Sequence, residues 1–285
     1  MSDKVRNFRV IKIDSDLFTV DDGARICCVR ARKTLRRNDI RVGDFVRIAG
    51  EPPVIEEVLP RKNALIRPAV ANVDTILIVL APEPVPDYLT ADKLVVNCLV
   101  AGIRPAVCFN KNDLPFDSAS AMAQYAGFAD DVVSVSAVNG DTAALRPLLS
   151  GRLTALAGQS AVGKSSLVNA LTGLNRATGG LSERVMRGRN TTTRAEIVPL
   201  GGGAYIVDTP GFSMLDLFDV RAEELSDYYG YTAFAGGCRF GGRCTHTSEP
   251  DCAVRHAAET GETNRARYER YVKLYAALRS ARKYG

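Results

Sequence analysis

No apolar run in this chain is long enough to cross a membrane. Residues 73–81 make nine positions, and 94–109 are interrupted by Asn97, Arg104 and Pro105, against the roughly 20 that a spanning helix needs. The first residues, MSDKVRNFRVIKID, have neither an apolar stretch nor a cleavage site, so no export signal is expected. Charge of one sign is also lacking: 37 Lys+Arg face 32 Asp+Glu, a net +5. Histidine occurs only twice. No internal repeat or low-complexity tract is visible. Cysteine, by contrast, occurs seven times. An odd count without an export signal favours a reducing cytoplasm over a disulfide framework. In that setting clustered cysteines serve as metal ligands more often than as bridges. Hydrophobic residues at 46% and charged residues at 24% suit a soluble globular chain and exclude wholesale disorder.

The small charge excess is unevenly placed. Residues 1–67 carry 15 basic and 10 acidic groups, 68–220 carry 11 and 14, and 221–285 carry 11 and 8. Two basic flanks therefore enclose a mildly acidic middle, an arrangement suited to meeting a polyanion. The first flank reads as five short strands, FRVIKI, LFTVDD, ARICCVRA, DFVRIAG and VIEEVL, parted by turn residues. That pattern predicts a small OB-like β-barrel, a scaffold that commonly binds oligonucleotides; an SH3-like barrel fits almost as well. The middle alternates apolar strands (75–81, 106–113, 132–137, 153–160 and 205–211) with helical stretches, which predicts a buried, mostly parallel sheet. The last segment has a Gly- and Cys-rich loop, then a helix with Tyr268, Tyr271, Tyr275 and Leu278 on one face. Three units are expected: 1–67, 68–220 and 221–285.

Four motifs in the middle unit carry chemistry. Gly158, Gln159, Ser160, Ala161, Val162, Gly163, Lys164 and Ser165, followed by Ser166, match G-x-x-x-x-G-K-[ST] between a strand and a helix. Glycines let backbone N–H groups curl around phosphates, Lys164 reaches the β and γ oxygens, and Ser165 is placed to ligate Mg²⁺. Asp208, with Thr209, Pro210 and Gly211, ends a strand at the ligand edge of such a sheet. There Asp208 can hold Mg²⁺ through water, and the Gly211 N–H can follow the γ-phosphate. Asn110, Lys111, Asn112 and Asp113 form N-K-x-D. A carboxylate only accepts hydrogen bonds, so Asp113 suits the paired N1–H and 2-amino donors of guanine and strands itself against adenine. Ser136 and Ala137 end the next strand, in a segment that resembles the loop touching guanine O6.

The order of these motifs is more specific than any one of them. A GTPase ordinarily runs phosphate loop, D-x-x-G, N-K-x-D, S-A. Here N-K-N-D and S-A precede the phosphate loop, so the unit is a circularly permuted P-loop GTPase. The second switch then leads directly into residues 212–285, and loss of the γ-phosphate is expected to act mainly on that part.

With the barrel, the permuted motifs, R-P-A-V-A-N-V-D (67–74), the T-T-T run (191–193) and C-x₅-C-x-H-x₅-C, the chain resembles the ribosome small-subunit-dependent GTPase A family (RsgA/YjeQ) over nearly its whole length. The resemblance implies GTP hydrolysis to GDP in late maturation of the 30S ribosomal subunit, binding to 16S rRNA, stimulation by the subunit, and a cytoplasmic location. No DNA or membrane partner is implied, and a monomer is expected.

Cys238, Cys244, His246 and Cys252 make a Cys₃His set, which suits a closed, structural Zn²⁺ site in a C-terminal helical domain. Family members bind zinc with this set, usually with a first gap one residue shorter, so a bulge at Gly241-Gly242 is expected. His256 reads as a surface residue. Cys27, Cys28, Cys98 and Cys108 lie in apolar runs and are expected to be buried. Arg30, Arg32, Lys33, Arg36, Arg37 and Arg41 cluster within twelve residues and are expected to form an RNA-contacting loop of the barrel. The last helix adds Arg265, Arg267, Arg270, Lys273, Arg279, Arg282 and Lys283, while its tyrosines are expected in the core.

Catalytic groups are thin. Phe212 stands where Ras-like enzymes carry a water-orienting Gln, and Asn190 stands where many family members have His. Thr193 is expected to complete the Mg²⁺ shell. Asn190 can hold water by a hydrogen bond but cannot act as a base. A competing reading is therefore an RNA-binding module that senses nucleotide with little or no hydrolysis.

Overall fold

The computed structural model describes residues 7–35, 39–66, 68–173, 195–208 and 220–281. Five strands open the chain: β1 (Asn7–Asp14), β2 (Leu17–Asp21), β3 (Ile26–Ala31), β4 (Phe45–Ala49) and β5 (Val54–Val58). They close into a barrel in the order β1-β2-β3-β5-β4. All pairings are antiparallel except β3 with β5, the one parallel contact that an OB-type barrel makes and an SH3-like barrel does not. Alternating side chains fill its interior, with Phe8, Val10, Phe18, Val20, Val29, Val46 and Ile55 all buried. The same alternation corrects the expectation for two cysteines. Val29 points inward, so its neighbour Cys28 points out and is exposed, with Cys27 only half-buried. Cys98 and Cys108 are buried as expected, and burial pushes the Cys108 thiol up to about 12.

Six strands form the second sheet: β6 (Thr75–Leu80), β7 (Arg104–Phe109), β8 (Asp131–Ser134), β9 (Leu153–Ala157), β10 (Glu196–Gly201) and β11 (Ala204–Asp208). Their order is β10-β11-β9-β6-β7-β8. Only the β10–β11 hairpin is antiparallel, so the sheet is mostly parallel. β10 has no counterpart among the expected strands. Its Pro199 is tolerated because β10 is the sheet's edge. Helices α1 (Tyr88–Val100), α2 (Ser118–Ala123), α3 (Leu145–Leu149) and α4 (Lys164–Thr172) connect and cover the strands. β6 is buried at every position, as its unbroken T-I-L-I-V-L run requires.

The C-terminal unit holds α5 (Leu225–Tyr228), α6 (Ala253–Thr260) and α7 (Arg265–Ala281), with short 3-10 turns between. Its tyrosines are core residues. Tyr231 and Tyr271 meet edge to face at 5.0 Å, and Tyr229 stacks on Phe128 of the preceding unit at 4.5 Å. Arg267 and Arg270, expected on a basic face, are instead buried. Arg267 donates to the Ala126 carbonyl at 2.9 Å. Arg270 donates from Nε to Asp92 on α1 at 2.7 Å and from Nη1 to Gln124 Oε1 at 2.7 Å.

Asp92 is fully buried. Burial pushes its carboxyl up, against the opposing pull of Arg270 and the Tyr229 hydroxyl. A pair of this kind is costly to break on one side, because the remaining charge has no water to receive it. Arg270→Met should therefore cost about 3–5 kcal/mol in a urea titration. The double variant Asp92→Asn/Arg270→Met should recover part of that loss. Equal midpoints for wild type and Arg270→Met would refute the assignment.

The barrel also seats on the sheet. Arg9 of β1 lies over the rings of Phe45 and Tyr205, at 4.4 and 5.1 Å, and the Tyr205 hydroxyl donates to Asp21 at 3.0 Å. Tyr205 is on β11, so the barrel rests on the hairpin whose last residue is Asp208.

Candidate nucleotide site and metal centre

In a parallel sheet, the loops following the strands gather at one edge, and that is where ligands bind. β7, β9 and β11 run parallel; Asn110 follows β7, Gly158 follows β9, and Asp208 is the last described residue of β11. The strands are shorter than expected at their carboxyl ends. N-K-N-D and residues 158–163 thus sit in loops rather than in strands, and Lys164 and Ser165 open a helix.

Two glycines of the phosphate loop are required by geometry. At Gly158 (φ +134°) a Cβ would lie 2.3 Å from the Val79 carbonyl oxygen. At Gly163 (φ +95°) it would lie 2.2 Å from Asn110 Nδ2. Both positions also have backbone angles that L side chains resist. The second contact shows how tightly the two loops interlock. Asn110 is buried, donates to the Val162 carbonyl at 2.9 Å and accepts from Ala137 N at 3.1 Å. One side chain thereby fixes the phosphate loop, the guanine loop and the S-A loop. Lys111 adds a second tie, donating to Ala161 O at 2.9 Å and Glu83 O at 2.7 Å.

Ser136 donates from Oγ to Asp113 Oδ1 at 2.5 Å and accepts from Asn139 N at 3.3 Å. Its hydroxyl therefore orients the carboxylate and leaves the Asp113 Oδ2 edge to solvent and to an incoming donor. Asn112 N is bonded to Val135 O at 3.0 Å, which holds this loop against the end of β8.

Lys164 begins α4, where Gly163 supplies no side-chain cap, so the first amides of the helix point toward the loop. Its ammonium is half-buried, and burial lowers its pKa. In this structure Lys164 Nζ is bonded to the loop's own carbonyls, Gly158 O at 2.8 Å and Gln159 O. Ser165 is exposed and Ser166 half-buried at the same helix start. Ser160 is exposed at the tip of the loop. For Asp208 only the backbone is described, as the end of β11 opposite Glu196. Asn190, Thr193, Gly211 and Phe212 lie outside the described residues.

The Cys₃His set is brought together. The ligand atoms of Cys238, Cys244, His246 and Cys252 all lie within 4.8 Å of one another, and all four residues are buried. His246 turns Nδ1 toward Cys238 Sγ at 3.6 Å and Cys252 Sγ at 3.5 Å. Burial and the neighbouring thiols push Cys244 up to about 12. Three thiols and one imidazole nitrogen converging in a buried space are the donor set of a closed tetrahedral site and fit Zn²⁺. The bulge expected after Cys238 is a 3-10 turn at Gly241–Arg243, with Gly241 at φ +51°. His256 is exposed on α6 and takes no part.

Glu249 organises this loop, a role its sequence position did not signal. It accepts from the amide and hydroxyl of Thr245 and the amide of Thr247. Partial burial opposes its ionisation, but these bonds hold its carboxyl down to about 2. A second unforeseen element is segment 81–87. The Gln159 side chain accepts from Asp87 N at 3.0 Å and donates to Val85 O at 3.4 Å. The run P-E-P-V-P-D was its visible signal, since three prolines in six residues mark a stiff connector.

Part of the expected RNA-contacting loop is described. Arg30, Arg32 and Lys33 are exposed, whereas Arg41 turns inward toward Leu65 O at 3.4 Å. Arg36 and Arg37 lie outside the described residues.

Comparison with known proteins agrees with this geometry. The family described as RsgA GTPase matches residues 58–218. The small ribosomal subunit biogenesis GTPase RsgA of Ruminiclostridium cellulolyticum is 39% identical over 268 residues, covering 90% of this chain and 87% of that protein. The protein of the same name from Thermotoga petrophila is 38% identical, covering 96% and 97%. Among solved structures, YjeQ from Thermotoga maritima superposes with a TM-score of 0.76 at 33% identity, over 96% of this chain and 98% of that one. YloQ, described as a circularly permuted GTPase, gives 0.77 at 29% identity, over 98% and 96%. The permuted order, the interlocked loops at one sheet edge and these relatives lead to one conclusion: the chain belongs to the RsgA GTPase family.

Proposed function

We propose that this GTPase binds the 30S ribosomal subunit through 16S rRNA, acts late in small-subunit maturation in the cytoplasm, and hydrolyses GTP to GDP and phosphate when docked. The observation that carries the reading is the interlocking of Asn110 and Lys111 with the phosphate loop, beside the Ser136–Asp113 bond, which presents a guanine acceptor and a phosphate cradle on one edge. The relatives' names supply the small-subunit role. The working units are 1–67, which meets RNA, 68–220, which binds nucleotide, and 221–285, which is held by Cys238, Cys244, His246 and Cys252 around a structural zinc ion.

In the bound state Asp113 accepts from the guanine edge, and Ala137, beside Ser136, shares its amide between Asn110 Oδ1 and O6. The amides from Gly158 to Ser166, with Lys164, surround the β and γ phosphate oxygens and favour charge as it develops there. Ser165, Thr193 and Asp208 are the residues that would hold Mg²⁺, which neutralises phosphate charge when bound. Gly211 donates its amide to the γ-phosphate. Neither Asn190 nor Phe212 can accept a proton from water at neutral pH, so the chain alone positions water poorly. Docking supplies the missing order.

Slow turnover alone and fast turnover on the subunit follow. Multiple-turnover phosphate release should rise at least about tenfold with 30S particles and stay flat with 50S particles. Turnover as fast without ribosomes would refute dependence on the subunit. No release under either condition would favour the nucleotide-sensing reading, which Asn190 and Phe212 motivate. Cosedimentation with 30S particles in GDP and in a non-hydrolysable GTP analogue tests the partner independently of chemistry.

A further inference from the structure

Segment 81–87 touches both nucleotide loops at once. Its Glu83 carbonyl accepts from Lys111, and its Val85 carbonyl and Asp87 amide engage the side chain of Gln159. Its prolines at 82, 84 and 86 leave it little freedom to absorb a displacement. The segment ends in the cap of α1, where Asp87 accepts from Thr90 N at 2.9 Å and from Thr90 Oγ1 at 2.6 Å. On the same helix Asp92 holds Arg270 of α7 and the Tyr229 hydroxyl in a buried cluster. A continuous chain of hydrogen bonds and one helix thus runs from the phosphate loop to the Cys/His-bearing unit.

We propose that Gln159 is a positioning residue that ties nucleotide loading at the phosphate loop to the C-terminal unit, through residues 81–87, helix α1 and the Asp92–Arg270 pair. The two states differ in one identifiable contact. Here Lys164 is bonded to Gln159 O and Gly158 O. Bound phosphates take that ammonium, which frees the backbone of the residue whose side chain grips segment 81–87. A ligand shifts a conformation only through such a differential contact. The route reads phosphate-loop occupancy and works with GDP as well as GTP. It is therefore separate from the second switch, which follows Asp208 and reads the γ-phosphate. By linkage the coupling is reciprocal, so the C-terminal unit also acts on nucleotide affinity. The inference rests on the GTPase reading above.

Hydrogen exchange resolved by peptide, with and without saturating GDP, tests it on the full chain. In the wild type GDP should change exchange in the phosphate loop, in 88–100 and in 265–281. Gln159→Leu should bind GDP about three- to tenfold more weakly. At saturation it should still protect the phosphate loop while 265–281 no longer responds. Gln159→Glu keeps the acceptor for the Asp87 amide but loses the donor to Val85 O, and should restore part of the response, which a merely structural loss would not. An undiminished response in Gln159→Leu, or no response of 265–281 in the wild type, overturns the proposal. Failure of GDP to protect the phosphate loop in any form overturns the GTPase reading itself, a result distinguishable from the others.

Discussion

Asp113→Asn will make the base site prefer xanthine over guanine nucleotide. The Asp113 carboxylate receives the Ser136 hydroxyl on Oδ1. In the variant that same hydroxyl selects the amide orientation with oxygen toward Ser136. The NH₂ group is then left where Oδ2 stood. Guanine brings its own 2-amino donor to that place, so donor meets donor, while xanthine brings a carbonyl oxygen that accepts. A buried or base-covered donor without an acceptor is costly, and a site built around a hydrogen-bonding pair discriminates strongly. GDP affinity should fall about a hundredfold or more, and XDP should become the tighter ligand. Titration of both diphosphates against both proteins measures this, with circular dichroism as the check on folding. A variant that keeps its preference for GDP would mean that Asp113 does not face the base.

That prediction draws on a site largely legible in the sequence. The reason is physical: phosphate and guanine recognition use backbone amides and short motifs whose geometry is set locally, by a strand end, a few glycines and a helix start. The order of the motifs revealed the permutation without coordinates. The barrel's five strands were legible too, from short apolar runs parted by turn residues, with inward and outward residues alternating as in L-F-T-V. The choice between barrel types was not, since it depends on the parallel contact of β3 with β5, between residues 24 positions apart at Arg30 and Val54.

Other features stayed hidden for the same kind of reason. Arg270 reads as one more charge on a basic helix, and only its partner on α1 makes it a core residue. Adjacent cysteines at 27 and 28 cannot both face inward on a strand, but the sequence does not say which one does. β10 was obscured by Pro199 and by the glycines at 201–203, which mark a loop unless the edge position and hairpin are known. The expected basic patches shrank accordingly. Of the described residues, Arg30 at the end of β3 and Arg32 and Lys33 after it remain exposed, as do Arg265, Lys273 and Arg279 on α7, while Arg267 and Arg270 are committed to internal contacts.

Loss of the zinc proposed at the Cys₃His site should have the largest effect on stability, centred on the C-terminal unit. The Cys₃His loop supplies backbone acceptors to the tyrosine core: Tyr271 donates to Thr245 O at 2.7 Å and Tyr268 to Thr247 O at 3.4 Å. The ring of Tyr231 meets the His246 imidazole edge-on at 6.4 Å. The loop between Cys238 and Cys252 has few apolar groups of its own to hold this shape, so ligand bonds must supply the order. Structural zinc contributes about 10–16 kcal/mol in small isolated domains. Even a loss of about 5 kcal/mol would lower the melting temperature of a unit of this size by roughly 20–40 °C. Cys252→Ala should therefore purify with less than about a fifth of a zinc ion per chain, and residues 221–281 should lose exchange protection at moderate temperature. GDP binding should persist, because the phosphate loop and α4 pack through Val162 and Leu167 on the sheet face away from the C-terminal unit, against Leu77 and Val79. If Cys252→Ala retained full zinc content and an unchanged melting curve, the four residues would not be the ligands. If it lost GDP binding as well as zinc, the metal site and the nucleotide edge would form a single cooperative unit, and their coupling would run through more than the α1–α7 contact.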